Sequence, residues 1–356
     1  MRPLRPRTRP LGAAVALVAT AALTAACSTG PRGGDENADA AEPTTAAEAD
    51  AFPVTIEHAL GSTTIEQEPT RVVSVGYAEA DFPLSLGVVP VGAAKITYAG
   101  NDDFSTDYFD EALAEIDGAE QPERLDETDG VPVEDVVALR PDLVTATQSG
   151  ITQDEYDQLT EAGIPVVAYP EAPYTTTWQE SLEMVGEALG RTEEADAVEA
   201  ETQQLIDDTA AEHPGLEGAT FTFGGPNAGD LSSFYVYTVE DNRPRLLSEL
   251  GMEPTAFVRE RSEPGQFLFN VSSERADELD ADVLLTYATS EAEVEELATN
   301  PLTRQIPAIA DGRWYASTDP TETVGFSAPS PLSLPPTLER YVPKVAAALE
   351  GDGSGS

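Results

Sequence analysis

The sequence predicts an α/β protein made of two Rossmann-like lobes with mostly parallel sheets, joined by one long α-helix. Three observations carry this expectation. Residues 134–147 and 274–287 align without a gap, strand and helix signals alternate in each half, and residues 175–215 between the halves keep a helical apolar period.

The aligned segments are EDVVALRPDLVTAT and ERADELDADVLLTY. Each runs from a glutamate (Glu134, Glu274) to a leucine (Leu139, Leu279), an aspartate (Asp142, Asp282) and an apolar pair (Leu143-Val144, Val283-Leu284). That is a short helix leading into a buried strand, as expected where helices cover both faces of a parallel sheet. The copies lie 140 residues apart, which fits two similar lobes and not a short-period solenoid.

The first lobe spans residues 53–173. Its expected elements are a strand at 71–75, a helix at 79–87 ending on Gly87, strands at 88–94 and 142–147, a helix at 152–163 and a strand at 164–170. Thr152 and Glu155 form the capping box of the second helix. The connector, residues 174–212, places Leu182, Val185, Ala188 and Leu189, then Ala195, Val198, Leu205 and Ile206, at helical spacing, with Gly190-Arg191 as the site of a break or kink. A helical connector permits only modest closure. The second lobe, residues 213–350, is expected to hold strands at 219–225, 233–239, 282–287 and 312–318 and helices at 245–252 and 290–300. Residues 351–356, GDGSGS, read as a flexible tail.

Residues 1–26 begin with four arginines and continue as an apolar run, the pattern of a secretory signal peptide. That run of about 16 residues is shorter than the roughly 20 a transmembrane helix needs. Residues 28–51 lack aromatic and large aliphatic side chains, so the segment 27–52 reads as a disordered tether. Cys27 is the only cysteine, so it has no disulfide partner within the chain. With Ala25 and Ala26 before it, Cys27 resembles the lipobox cysteine of bacterial lipoproteins, although Thr24 stands where leucine is usual. The resemblance implies a lipid anchor at the outer face of the cell membrane. Two acyl chains anchor stably where one barely does.

The chain of 356 residues carries 65 acidic against 19 basic residues, a net charge of −46. Four of the basic residues fall in the leader, so the processed chain is more acidic still. Such a field repels nucleic acid and anionic headgroups, which excludes nucleic acid as a partner. No G-x-S-x-G elbow, P-loop or G-x-G-x-x-G follows a strand. The two histidines, His58 and His213, lie outside the expected cleft loops and form no metal-ligand cluster. The reading is therefore of a non-enzyme without a resident cofactor or metal.

From about Val54 to Leu349 the chain resembles the helix-bridged (class III) substrate-binding proteins of bacterial ABC importers, in their iron-siderophore branch. The carrying stretches, in order, are RVVSVGYAEADFPLSLGVVPVGAAK, VEDVVALRPDLVTATQSGITQDEYDQLTEAGIPVVAYP, TWQESLEMVGEALGRTEEADAV, IADGRWYAST and SPLSLPPTLERYVP. The resemblance implies a monomer that takes a ferric siderophore between its lobes. It also implies that Glu134 and Glu274 pair with arginines of the permease subunits. An acidic residue in a helix's first turn is equally at home as a complement to the helix dipole. Cobalamin and haem are the alternative ligands on this fold, and a structural surface lipoprotein is the alternative should side chains fill the cleft.

Ligands of open α/β sheets sit beyond the carboxyl ends of the strands. Applied to both lobes, this rule selects Tyr77, Lys95, Tyr98, Ser149 and Tyr169 on one side and Tyr287 and Phe326 on the other. The resemblance adds an arginine just before the helix at RLLSELG, either Arg243 or Arg245, whose guanidinium fork suits carboxylate or catecholate oxygens. An anionic chelate needs such an arginine. A neutral or cationic hydroxamate chelate does not, and the negative field tolerates it better.

Overall fold

A computed structural model describes residues 43, 44, 46–227 and 230–351. The leader, Cys27, most of the tether and residues 352–356 lie outside the described residues. The first lobe opens with an antiparallel hairpin, β1 (Val54–His58) and β2 (Gly61–Ile65), whose alternation turns Ile56, His58, Thr63 and Ile65 inward. The lobe's main sheet comes from β3 (Val72–Ser74), α1 (Asp81–Ser85), β4 (Gly92–Ala94), α2 (Asp107–Ala114), β5 (Glu123–Leu125), α3 (Val133–Ala138), β6 (Leu143–Ala146), α4 (Gln153–Glu161) and β7 (Val166–Ala168). Its strand order is β5-β4-β3-β6-β7, parallel throughout. The expected capping box opens α4. The hairpin, α2 and β5 were not legible from the sequence pattern.

The connector is helical on both sides of Gly190, as α5 (Trp178–Leu189) and α6 (Thr192–Glu212). Gly190 takes the left-handed conformation (φ 65°), and Arg191 N–H bonds back to Gly186 O at 2.8 Å, which ends α5. The break lets α6 pack back against α5, where Gly186 leaves room for Ala195. Helix α5 lies on the first lobe and α6 on the last helix of the second. Arg191 offers α6 no side-chain cap, and Glu48 substitutes: its carboxylate accepts from Glu193 N–H at 2.7 Å. Thus the last part of the expected tether lies on the body, with Glu48 N–H also bonded to Gly190 O at 2.8 Å.

The second lobe runs β8 (Thr220–Asn227), β9 (Asp230–Tyr237), α7 (Asn242–Glu249), β10 (Glu253–Pro254), α8 (Ala256–Arg259), β11 (Leu268–Ser272), β12 (Val283–Tyr287), α9 (Glu291–Thr299), α10 (Pro307–Ala310), β13 (Trp314–Ser317), α11 (Pro320–Ser327) and α12 (Leu334–Leu349). Strands β8, β10, β12 and β13 pair in parallel, while β9 and β11 are antiparallel additions to one edge. This sheet is mixed because β8 and β9 are joined too closely for a crossover, and so must form a hairpin.

The duplicated aspartates do the same structural work in each lobe. Asp142 accepts from Thr70 N–H and hydroxyl and from Arg71 N–H (2.9, 2.9 and 2.7 Å), and Asp282 accepts from Thr220 N–H and hydroxyl (2.8 and 2.7 Å). Each ties down the chain entering its lobe's first central strand. One apolar core runs from Phe82, Leu86 and Leu143 through Trp178, Leu182 and Val185 to Phe221, Phe223 and Tyr341. Exposing five or six such side chains by parting the lobes costs on the order of 10 kcal/mol, comparable to a domain's whole stability. Ser330 adds a buried hydrogen bond across the seam to Asp81 at 2.6 Å. The lobes therefore hold a fixed frame with little freedom to hinge.

Candidate functional site

Between the lobes lies a cleft of about 720 Å³. From the first lobe it is lined by residues just beyond the carboxyl ends of β3 (Gly76, Tyr77), β4 (Lys95, Thr97, Tyr98), β5 (Glu127, Thr128) and β6 (Gln148, Gly150), with Tyr174 beyond β7. Gly76 is required there. Its φ is 120°, and a Cβ would stand 2.7 Å from Gln148 O.

The second lobe presents Tyr235 and Tyr237 from β9, Arg243 from the start of α7, Phe267, and Tyr287, Thr289 and Glu293 around the end of β12. Strand alternation explains the tyrosines: Phe234 and Val236 point into the core, so Tyr235 and Tyr237 face the cleft. Sequence reading passed over both, although the alternation in SFYVYTV was the signal. It also passed over Glu127 and Tyr174.

Arg243 is the best-held cation in the wall. Its Nη1 donates to Asp241 Oδ1 and Oδ2 at 3.0 and 2.8 Å, and its guanidinium stacks 4.1 Å from the centre of the Tyr237 ring. Burial alone would lower its pKa, but Asp241 more than offsets this and keeps it charged. Its Nε has no hydrogen-bond partner, and only 14% of the side chain is exposed. Lys95 pairs with Asp126 at 3.7 Å. Burial pushes the Glu127 carboxyl up to about 7, against a single hydrogen bond from Gly76 N–H.

Tyr77, Lys95, Tyr98, Arg243 and Tyr287 thus line the cleft, whereas Ser149, Tyr169, Arg245 and Phe326 do not. Ser149 turns inward to donate to Ala146 O at 2.8 Å. Tyr169 is core, with its hydroxyl donating to Ile151 O. Phe326 is wholly buried against Tyr341, ring centres 4.1 Å apart. Arg245 lies two residues beyond Arg243 on α7, hence on the opposite face, where it bonds Thr175 O and Glu240 outside the cleft. His58 bonds Thr63 at 3.0 Å in the hairpin, away from the cleft lining. Glu134 and Glu274 are exposed in the first turns of α3 and of the short turn before β12.

Residues 72–321 match the family described as periplasmic binding protein. The chain belongs to that family. This periplasmic binding protein is 30% identical to PiaA of Streptococcus pneumoniae TIGR4, solved in complex with ferrichrome, with a TM-score of 0.77 over 83% of this chain and 99% of that one. It is 27% identical to the Fe(3+)-citrate-binding protein YfmC of Bacillus subtilis over 258 residues, 72% of this chain and 75% of that protein. A third likeness, to the uncharacterized ABC transporter substrate-binding lipoprotein YvrC of Bacillus subtilis, is 31% identical over 148 residues and spans 41% of this chain and 42% of that protein. Periplasmic binding proteins capture substrates and are not enzymes, and they work outside the cytoplasm. Among the described residues no helix is long and apolar enough to cross a membrane.

Proposed function

We propose that this periplasmic binding protein captures a ferric siderophore in the inter-lobe cleft and delivers it to the permease of an ABC importer. The observation that carries the reading is the cleft itself, open to a guest of several hundred cubic ångströms and lined by six tyrosines, Phe267 and an arginine. Aromatic faces suit a bulky chelate whose metal is already saturated. Among the described residues no group of three or more His, Cys, Asp or Glu side chains is arranged to hold a metal ion, and the iron is proposed to arrive already chelated. The ferrichrome bound to PiaA and the ferric citrate in YfmC's name support the same ligand class.

Cys27 carries the lipid that holds the protein to the outer face of the membrane, and the protein works as a monomer. Glu134 and Glu274, one exposed on each lobe, dock to arginines of the permease. Calorimetric titration with ferric hydroxamate, catecholate and carboxylate siderophores tests the ligand class, with cobalamin and haem as controls. Both tryptophans, Trp178 and Trp314, are buried away from the cleft lining, so heat is a better reporter than their fluorescence. Saturable binding of at least one ferric siderophore, and not of the controls, is the expected result. Binding of cobalamin or haem alone overturns the reading.

A further inference from the structure

Each cation of the cleft wall is neutralised by its own aspartate, Lys95 by Asp126 and Arg243 by Asp241. Two further carboxylates, Glu127 and Glu293, line the cleft with no ion pair among the described residues. Thr289 N–H and hydroxyl satisfy Glu293 at 2.7 and 2.8 Å. Glu127 has only the Gly76 N–H at 3.3 Å, and the charges that act on it, those of Glu79 and Glu155, are also negative.

Gln148 lies on the same wall. It is 5% exposed, and neither its Oε1 nor its Nε2 has a hydrogen-bond partner. A buried carboxamide left unpaired costs free energy that a ligand's polar group would recover. Tyr174 completes the wall. It is held at φ 63°, a conformation unfavourable for a tyrosine, with its N–H bonded to Ser149 O, and Gly150 leaves the space its ring occupies.

We propose that Glu127, Gln148 and Tyr174 form a subsite for a protonated amine carried on an otherwise neutral ferric chelate. The inference rests on the siderophore reading and names a charge class within it. The ammonium donates to the Glu127 carboxylate and to Gln148 Oε1, with the face of Tyr174 against it. In the empty cleft burial holds Glu127 partly protonated near neutrality, which spares the wall an unpaired buried charge. An anionic chelate meets Glu127, Glu293 and a net charge of −46.

The test uses the full-length protein at pH 7 and three ferric complexes of one linear trihydroxamate, bearing a terminal primary amine, its N-acetyl derivative or its N-succinyl derivative. Titration calorimetry is expected to give the amine form about tenfold tighter binding than the N-acetyl form, with the N-succinyl form weakest. Glu127→Gln removes the preference for the amine, so that the amine and N-acetyl forms bind alike, and circular dichroism checks that the variant is folded. Gln148→Leu weakens the amine form more than the N-acetyl form. Equal binding of all three complexes, or a preference that survives Glu127→Gln, overturns the subsite alone. Binding of none of them overturns the subsite, and the siderophore reading falls with it only when no ferric siderophore of the hydroxamate, catecholate and carboxylate panel binds either.

Discussion

The two walls of the cleft stand on equivalent frames and offer opposite chemistry. In the first lobe an all-parallel sheet ends in loops that bring acceptors to the cleft: the Glu127 carboxylate with one hydrogen bond and the Gln148 carboxamide with none. In the second lobe the antiparallel strand β9, held between β8 and β11, brings a tyrosine pair, and Asp241 fixes Arg243 against it. Duplication repeated the helix-to-strand frame and its aspartate tie. The walls differ because β9 runs along the cleft and sends every second side chain, Tyr235 and Tyr237, into it, whereas a loop after a parallel strand sends one or two.

The largest expected effect concerns the feature the lobes share. Glu134→Arg combined with Glu274→Arg should abolish siderophore uptake by cells while calorimetry finds ligand affinity unchanged; uptake at the native level removes the docking role. Comparing the two single reversals shows whether the lobes contribute equally.

Next comes the cationic wall. On an otherwise neutral chelate Arg243 supplies one hydrogen bond from a charged donor, worth about 1.5 kcal/mol, so Arg243→Ala should weaken chelate binding by about tenfold. Arg245→Ala, on the outer face of α7, should change it less than about threefold. Equal effects would mean that α7 does not aim Arg243 alone at the ligand.

The duplicated ties predict an ordered pair of stability losses. Asp142→Ala and Asp282→Ala should each cost about 1–3 kcal/mol in urea unfolding. Asp142→Ala should cost more, since it strands three donors where Asp282→Ala strands two.

The smallest effect is a difference in pH response. Burial raises Glu79 and Asp81 of the first lobe to about 7, from ordinary values of 4.5 and 3.8. Their unfolded forms lose protons first, so the stability they contribute is full below about pH 4 and falls as pH rises toward 7. Asp282 runs the other way: hydrogen bonds from Thr220 lower its pKa, so its contribution is present above the unfolded value and lost in acid. Thermal unfolding should therefore show stability declining from pH 5 to pH 8 by on the order of 1–3 kcal/mol, with repulsion among the surplus acids acting in the same direction. Glu79→Gln should flatten that decline, and an unchanged slope would mean that Glu79 is not its source.

Much of the fold was legible where the signal is local. The Thr152/Glu155 cap, the apolar run at Leu143-Val144 and the break at Gly190-Arg191 each depend on residues within a turn or two of one another. The short strands β5, β10 and β11 were not legible, because they are largely exposed or half-buried and so lack the continuous apolar run that marks the equally short β3, β6 and β7. The site was half legible. The rule that ligands lie beyond strand ends found Tyr77, Lys95, Tyr98 and Tyr287. It could not separate them from Ser149, Tyr169 and Phe326, which share the same neighbourhoods in the chain and turn inward.

By itself the sequence determined the α/β alternation, the repeated frame and the helical link, since spacings of two and 3.6 residues and the conformations open to glycine act over short distances. Tertiary structure alone decided which polar groups stay unpaired at the cleft. Whether Gln148 finds a partner, and whether Arg243 or Arg245 meets the tyrosines, depends on elements far off in the chain. Hydrogen bonding and burial are settled by what packs opposite, and no short stretch of residues contains that information.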